Sequence, residues 1–388
     1  MANLLDRSSF VLTPTAYNNG EALCIKPDDA SGDFQFSRAT EATRINSLGL
    51  VETIGINLPR INYEGGCGSW LWEPQSTNLF DYSEDLGQSY WNAYGAEVTR
   101  TFDATVANPT GNLGAYSVEG VSSARRFGVI QTVTPSTDYT LSFYVKNIDA
   151  TVLKTLITNS SVSSYTFTSQ VNTTNWSRIE INFTSLTGTT CVFQITRDLP
   201  IGESAYFWGL MLEEQSFITS YIKTSGSTVT RNKDVCTNGG SLASINSTEG
   251  VLYFEGSTLV NGGSNRYISL SNNTSSNRLQ LIFHNNSNRL SIGMANPIGS
   301  VGSINDFSFV QTNNNKVAVL YSALGLRLFV NGILRGSNTD NASFTPNTLT
   351  TLDFALWNQT TAPFEGNIKC LALFEALTDA ELISLTTI

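Results

Sequence analysis

Between Ser177 and Thr184 the chain reads SRIEINFT, with Ile179, Ile181 and Phe183 alternating against Arg178, Glu180 and Asn182. A repeat of two sends successive side chains to opposite faces of an extended strand, so one face is apolar and the other polar. The same beat returns in TLSFYVK, where Leu141, Phe143 and Val145 oppose Ser142, Tyr144 and Lys146. GVIQTV, CVFQIT and AYFWGLMLE add further strands. Short half-buried strands separated by turn residues predict an antiparallel β-sandwich over residues 76–230.

Residues 231–388 repeat the style in VLYFEG, RLQLIF, KVAVLYS, RLFV, TLDFAL and IKCLALF, which predicts a second sandwich. Asn331-Gly332 sits between two apolar runs and marks a hairpin, because both residues tolerate positive φ. One short helix is expected at the end, in LTDAELISL, with Thr378 as cap, Glu381 completing a capping box, and Leu382, Ile383 and Leu385 packing down. The polar Gly/Ser-rich stretch 223–241 supplies the boundary between sandwiches. Residues 1–75 read as an irregular segment without a core of its own, one that anchors by packing on a neighbour. The expected fold is therefore all-β: two jelly-roll sandwiches, 76–230 and 231–388, preceded by the attachment segment 1–75.

Only 14% of the residues are charged, against about a quarter in ordinary domains, so solubility rests on Asn, Ser, Thr and Gly. The net charge is -10, and the nearest approach to a basic cluster is the pair Arg125-Arg126. Nucleic-acid binding needs concentrated positive charge, so that function is set aside. The five cysteines are scattered and form no CxxC, which predicts buried free thiols in a reducing cytoplasm. The opening residues lack a basic stretch followed by an apolar core, and no apolar run reaches the roughly 20 residues that span a bilayer, so neither a secretory leader nor membrane insertion is expected. Triplets such as Asn175-Trp176-Ser177 then carry no glycosylation.

The reactive inventory is thin. The single histidine, His284, follows a strand and enters an Asn-rich turn, which suits a solvated turn residue better than a general base. Glu213-Glu214 are adjacent and would face opposite sides of a strand, and Glu84-Asp85 fall in a loop; neither is the alternate-position carboxylate pattern of sandwich glucanases. No phosphate loop or GxSxG elbow occurs. Aromatic rings and amides remain, the chemistry that stacks on a sugar's CH face and bonds its hydroxyls. Tyr90, Trp91 and Tyr94 in SYWNAYG, and Trp357 with Asn358, are the candidate glycan contacts. Trp176 and Trp208 read as core.

Four phrases in order, SRATEATRINSLGLVE, NLPRINYEGG, LWEPQSTNL and YSEDLGQSYW, resemble a segment of the virion proteins of tailed bacteriophages: head spikes, head fibres and tail-associated adhesins. The stretch from GVIQTVTPSTDYTLSFYVKN to YFWGLMLEEQSFITSYI looks like a jelly-roll carbohydrate-binding module. The end, from LRLFVNGILRGS onward, is similar to laminin-G-like, concanavalin A-type domains. The resemblance implies a non-catalytic virion surface protein, assembled in the host cytoplasm, that binds host-surface glycans as a trimer or other homo-oligomer. It also implies contact with other virion proteins through residues 1–75, and a structural calcium near Asp81 and Glu84. Two alternatives stay open: a structural capsid decoration or assembly protein without sugar binding, and a polysaccharide hydrolase.

Overall fold

At Asn331 and Gly332 the backbone takes φ of 52° and 79°, the paired positive values of a tight hairpin, and strands Gly325–Val330 and Ile333–Ser337 fold back on each other there. This hairpin is one edge of an eight-stranded antiparallel sheet in a computed structural model that describes residues 4–92, 97–122, 126–297, 299–359 and 361–388. The regular structure of the described residues is nearly all strand, with one α-helix, Asp379–Thr386, and the chain divides into two compact units.

Unit 1 comprises Met1–Glu41, Ile54–Pro74 and Lys233–Ile388. Its eight-stranded sheet faces a five-stranded one built from Gly299–Asp306, Leu290–Asn296, Arg278–Phe283, Arg266–Ser271 and Thr351–Asp353. Leu252, Phe254, Val317 and Val319 meet Ile268, Leu270, Leu279 and Leu281 in the core between them. Part of the opposite face of the long sheet is covered by the helix, through Leu377 and Leu382 against Tyr253, Phe329 and Phe374. Thr378 accepts from the Glu381 N–H, and the Glu381 carboxylate accepts from the Thr378 N–H, so the capping box forms. Leu382 and Leu385 pack down as expected, whereas Ile383 is 42% exposed. One residue is about 100° of helix, which turns position 383 away from the face holding 382 and 385.

The first 75 residues differ most from the sequence reading. They are not an irregular segment but a set of short strands, and their apolar beats are core. Phe10, Leu12, Phe34, Phe36, Trp70 and Trp72 share one cluster with Phe354 and Phe364, and the rings of Trp70 and Trp72 stack at 5.6 Å. Ser8–Leu12 and Ser69–Trp72 both pair with Gly366–Phe374, and Phe34–Ser37 pairs with Val235–Thr237. Each run is too short to announce itself, because its partner lies hundreds of residues away. The same segment carries two guanidinium groups into the interior. Arg38 donates to Asp234 at 2.9 Å, and Arg60 donates to Glu73 at 2.6 Å and to the other oxygen of Asp234, with all four side chains buried. Burial this deep is tolerable only because each charge is paired and hydrogen-bonded.

Unit 2 comprises Ala42–Thr53 and Gln75–Asn232. A five-stranded sheet, in the order Val98–Ala107, Leu113–Gly120, Ser204–Glu213, Asp138–Asn147, Ser177–Thr184, packs on a four-stranded one. Leu141, Phe143, Val145, Ile179, Ile181 and Phe183 point into the core, as their alternation predicts. The reverse face is not simply solvated: Tyr144, Trp208 and Met211 are covered by Val51, Tyr221 and Ile222. Gly209, at φ 65°, lets the Ser204–Glu213 strand shift register against Asp138–Asn147, where a Cβ would sit 3.2 Å from the Tyr144 ring. Of the cysteines, Cys191 and Cys236 are buried, while Cys67 is exposed in the EGGCG turn. The described residues contain no helix long and apolar enough to cross a membrane.

Candidate functional site

On that reverse face of unit 2 the covering is incomplete, and a groove of about 840 Å³ is left open. Two hairpins shape it. One joins Val98–Ala107 to Leu113–Gly120 through Asn-Pro-Thr-Gly-Asn, a turn held by Asn108, whose Oδ1 accepts from the Thr110 N–H at 2.9 Å and the Thr110 hydroxyl at 2.7 Å. Asn108 Nδ2 donates to the Gly114 carbonyl. The other joins Ala42–Ile45 to Val51–Ile54. Its turn is organised by Asn46, whose Oδ1 accepts from the N–H groups of Leu48 and Leu50, and by Gly49 at φ 78°. Val51 N–H donates to the Pro109 carbonyl at 2.9 Å and ties the two tips together.

The walls differ in chemistry. Phe102, 56% exposed, lies tilted over Tyr116 with 5.3 Å between ring centroids. Gly114 makes this possible: it sits at φ 121°, and a Cβ there would come within 2.7 Å of the Phe102 ring. Leu113 extends the same wall. Trp208 and Tyr221, both buried and 4.5 Å apart between centroids, back the floor. Most of the remaining lining is polar: Thr43, Asn46, Thr53, Asn108 and Asn112 with Glu52, Glu84, Asp85 and Lys223.

The carboxylates are held in place. Asp85 accepts from the Tyr116 hydroxyl at 2.6 Å, Gln88 Nε2 at 2.6 Å and the Gly87 N–H at 3.1 Å. Partial burial pushes its pKa up, but these bonds and the Arg100 charge outweigh that and leave it below the usual carboxylate value. Burial, then the bond to Asp85, raises Tyr116 to about 12, so its phenol stays a donor. Glu84 accepts from Tyr221 at 2.9 Å and from Lys223 at 2.7 Å, and Glu52 accepts from Arg44 at 2.8 Å. An anionic Asp85 suits accepting hydroxyl protons in hydrogen bonds and does not suit protonating a leaving group. What the groove offers is a stacking ring, amides, hydroxyls and oriented acceptors.

The residues singled out from sequence fall elsewhere. Trp91 is a correction: it is 1% exposed and packed among Phe80, Tyr90 and Phe127, so no ligand reaches its ring. Its turn folds inward because the apolar payload of an indole outweighs its one polar atom. Tyr90 is half-buried, with its hydroxyl donating to Gln131. Tyr94 lies outside the described residues. Trp357 and Asn358 are half-buried in unit 1, and Asn358 Oδ1 accepts from the Thr361 N–H and hydroxyl. At Asp81 and Glu84, the expected calcium position, the Glu84 carboxylate accepts from Lys223 and Tyr221, and no group of three His, Cys, Asp or Glu able to hold a metal occurs among the described residues. His284 is half-buried rather than solvated, with Nε2 2.8 Å from the Ser291 hydroxyl and its pKa lowered by burial and by Arg289. The groove residues went unread because Phe102 sits in TRTFDATVA, whose alternation announces a strand and not which face stays open.

The sheet architecture describes an all-β protein of antiparallel sandwiches. Residues 257–384, in unit 1, match the family model of the concanavalin A-like lectin/glucanases superfamily, over less than half of the chain. No curated protein matches. Among solved structures the chain is similar to the Ruminococcus gnavus IT-sialidase CBM40 bound to α2,3-sialyllactose, at 19% identity over 36% of this chain and 83% of that one, TM-score 0.32. It is similar to domain 4 of the Geobacillus stearothermophilus arabinanase AbnA in complex with arabinotriose, at 15% identity over 40% and 73%, TM-score 0.32. It is also similar to mouse laminin α1 domains LG4-5, at 10% identity over 64% and 87%, TM-score 0.27.

Proposed function

We propose that the protein is a non-catalytic glycan-binding protein whose unit 2 groove takes a neutral oligosaccharide. The observation that carries this reading is Phe102: a large aromatic ring held open to solvent over Tyr116, beside amides and anchored carboxylates. A sugar ring stacks its CH face on such a ring and turns its hydroxyls to the polar groups. Three acidic groups and one lysine line the groove, a balance that favours uncharged sugars over acidic ones. The lectin-like match in unit 1 supports the same class of ligand.

The wider setting we propose is the virion surface of a tailed bacteriophage, where many copies make weak sites effective. Host-surface glycans are then the ligand and neighbouring virion proteins the partners, with a trimer as the assembly. The reading of a purely structural surface protein keeps one observation in its favour, the burial of Trp91. A glycan array probed with the multivalently displayed full chain separates the two. Binding to neutral glycans that Phe102→Ala abolishes supports recognition; an empty array supports the structural role.

A further inference from the structure

We propose that the 42–53 hairpin is the specificity-determining wall of the groove, with the Asn46 amide as donor to a ligand hydroxyl and Glu52 as the group that turns acidic sugars away. This rests on the glycan-binding reading above. Its starting point is that the two walls are unlike. The wall from strands Val98–Ala107 and Leu113–Gly120 presents Phe102 and Leu113, 56% and 67% exposed. The hairpin wall presents Thr43, Asn46, Glu52 and Thr53. A pyranose has the same asymmetry, with a CH face and a rim of hydroxyls. A sugar whose CH face lies on Phe102 turns its rim toward the hairpin.

The hairpin is rigid enough to discriminate. Thr43 Oγ1 donates to the Tyr221 carbonyl at 2.6 Å, and Val51 N–H donates to Pro109. Val51 packs in one cluster with Trp208, Met211 and Tyr221, and Ile45 lies against it. Leu50 closes on the facing tip, where a Cβ on Gly111 would stand 3.0 Å from it. Discrimination needs groups held in place before the ligand arrives, and four anchors along a twelve-residue segment meet that need.

Asn46 is oriented and has capacity left. Its Oδ1 is taken by two backbone N–H groups, at 2.9 and 3.0 Å, which sets the plane of the amide. Its Nδ2 has no hydrogen-bond partner among the described residues, and the side chain borders the groove. Glu52 keeps an acceptor and a negative charge on the same wall, with Arg44 as its ion-pair partner. The other charges at the groove are Glu84 with Lys223, and Asp85 with Arg100 behind it. A carboxylate-bearing sugar therefore meets cations already engaged by these carboxylates, and Glu52 is the carboxylate contributed by the hairpin.

The test uses the full chain on an array of neutral and acidic oligosaccharides, followed by calorimetry on the best neutral binder. Asn46→Asp keeps the oxygen that organises the turn and exchanges the donor for an acceptor. It should weaken neutral binding about ten-fold, the worth of one oriented hydrogen bond. Glu52→Gln should raise the ratio of acidic to neutral binding about five-fold, the effect of one unit charge at contact distance in water. Thermal melts within a few degrees of wild type show that the fold is kept. If wild type binds, Phe102→Ala loses binding, and both hairpin variants keep the wild-type affinity and ratio, the hairpin has no selective role and this inference is overturned while the glycan reading stands. If wild type binds nothing in multivalent form, the glycan reading fails and takes the inference with it.

Discussion

The two units solve the same problem, covering both faces of a β-sandwich, and differ in how far they go. Unit 1 covers its long sheet with a second sheet on one face and, over part of the other, the C-terminal helix, and takes the charges of Arg38, Arg60, Glu73 and Asp234 inside. Unit 2 closes one face with a sheet and the other only partly, through the 42–53 hairpin and the Tyr221 segment; it buries the Glu213 carboxylate and holds Glu52, Glu84 and Asp85 at the opening. Closure makes a stable body; incomplete closure makes a place for a ligand. The difference lies in what covers the second face, since the strands beneath are alike.

The comparison breaks most sharply at the buried charges. Arg60→Ala leaves Glu73 and Asp234 buried beside one fewer cation and should cost unit 1 about 3–5 kcal/mol, read as a lowered denaturant midpoint. A surface pair such as Arg44–Glu52 in unit 2, removed by Arg44→Ala, should move the same midpoint by less than about 1 kcal/mol. Equal effects would show that burial does not set the cost of breaking an ion pair in this fold.

Asp353 gives the next largest effect, and it depends on pH. Its carboxyl is buried in unit 1 beneath the Asn238 N–H and Gln359, and burial raises its pKa to about 6 despite those bonds. A carboxyl with a raised folded pKa favours the protonated form in the fold. Its contribution to stability is therefore complete below about pH 4, the unfolded value, and is lost as pH rises through 6. Asp353→Asn keeps an oxygen for Asn238 and Gln359 and should be more stable than wild type by about 1–3 kcal/mol at pH 7, with the difference vanishing by pH 4. Melts of both proteins across that range check it, and a difference that grows on acidification contradicts it.

Smaller effects sharpen the comparison. Gly114→Ala places a methyl 2.7 Å from the Phe102 ring at a positive φ, so it should cost unit 2 about 1–3 kcal/mol and displace the exposed ring. Loss of glycan binding in a still-folded Gly114→Ala protein, seen on the array, would tie the groove to that ring. Thr378→Ala removes the helix cap and should cost unit 1 about 1 kcal/mol without touching the groove.

Local patterns were readable from the sequence because their physics is local. The Asn331-Gly332 turn, the Thr378–Glu381 box and the alternation of Leu141, Phe143 and Val145 each need only a few neighbours, and each formed. How the residues before position 75 divide between the two units was not readable in this way. Residues 1–41 and 54–74 join unit 1 and residues 42–53 join unit 2, through pairings such as Ser8–Leu12 with Gly366–Phe374 that no local rhythm announces. Trp91 and Phe102 make the same point at the candidate site. Both are aromatics beside polar residues, and only the tertiary fold buries one and opens the other.

The account's central claim is that the open face of unit 2 recognises sugar through Phe102. The most direct measurement is a calorimetric titration of the wild-type chain and of Phe102→Ala with the best neutral oligosaccharide from the array. The account predicts saturable binding to wild type and at least a roughly ten-fold loss in the variant, with the melting temperature retained. Equal affinity in the two proteins would contradict it.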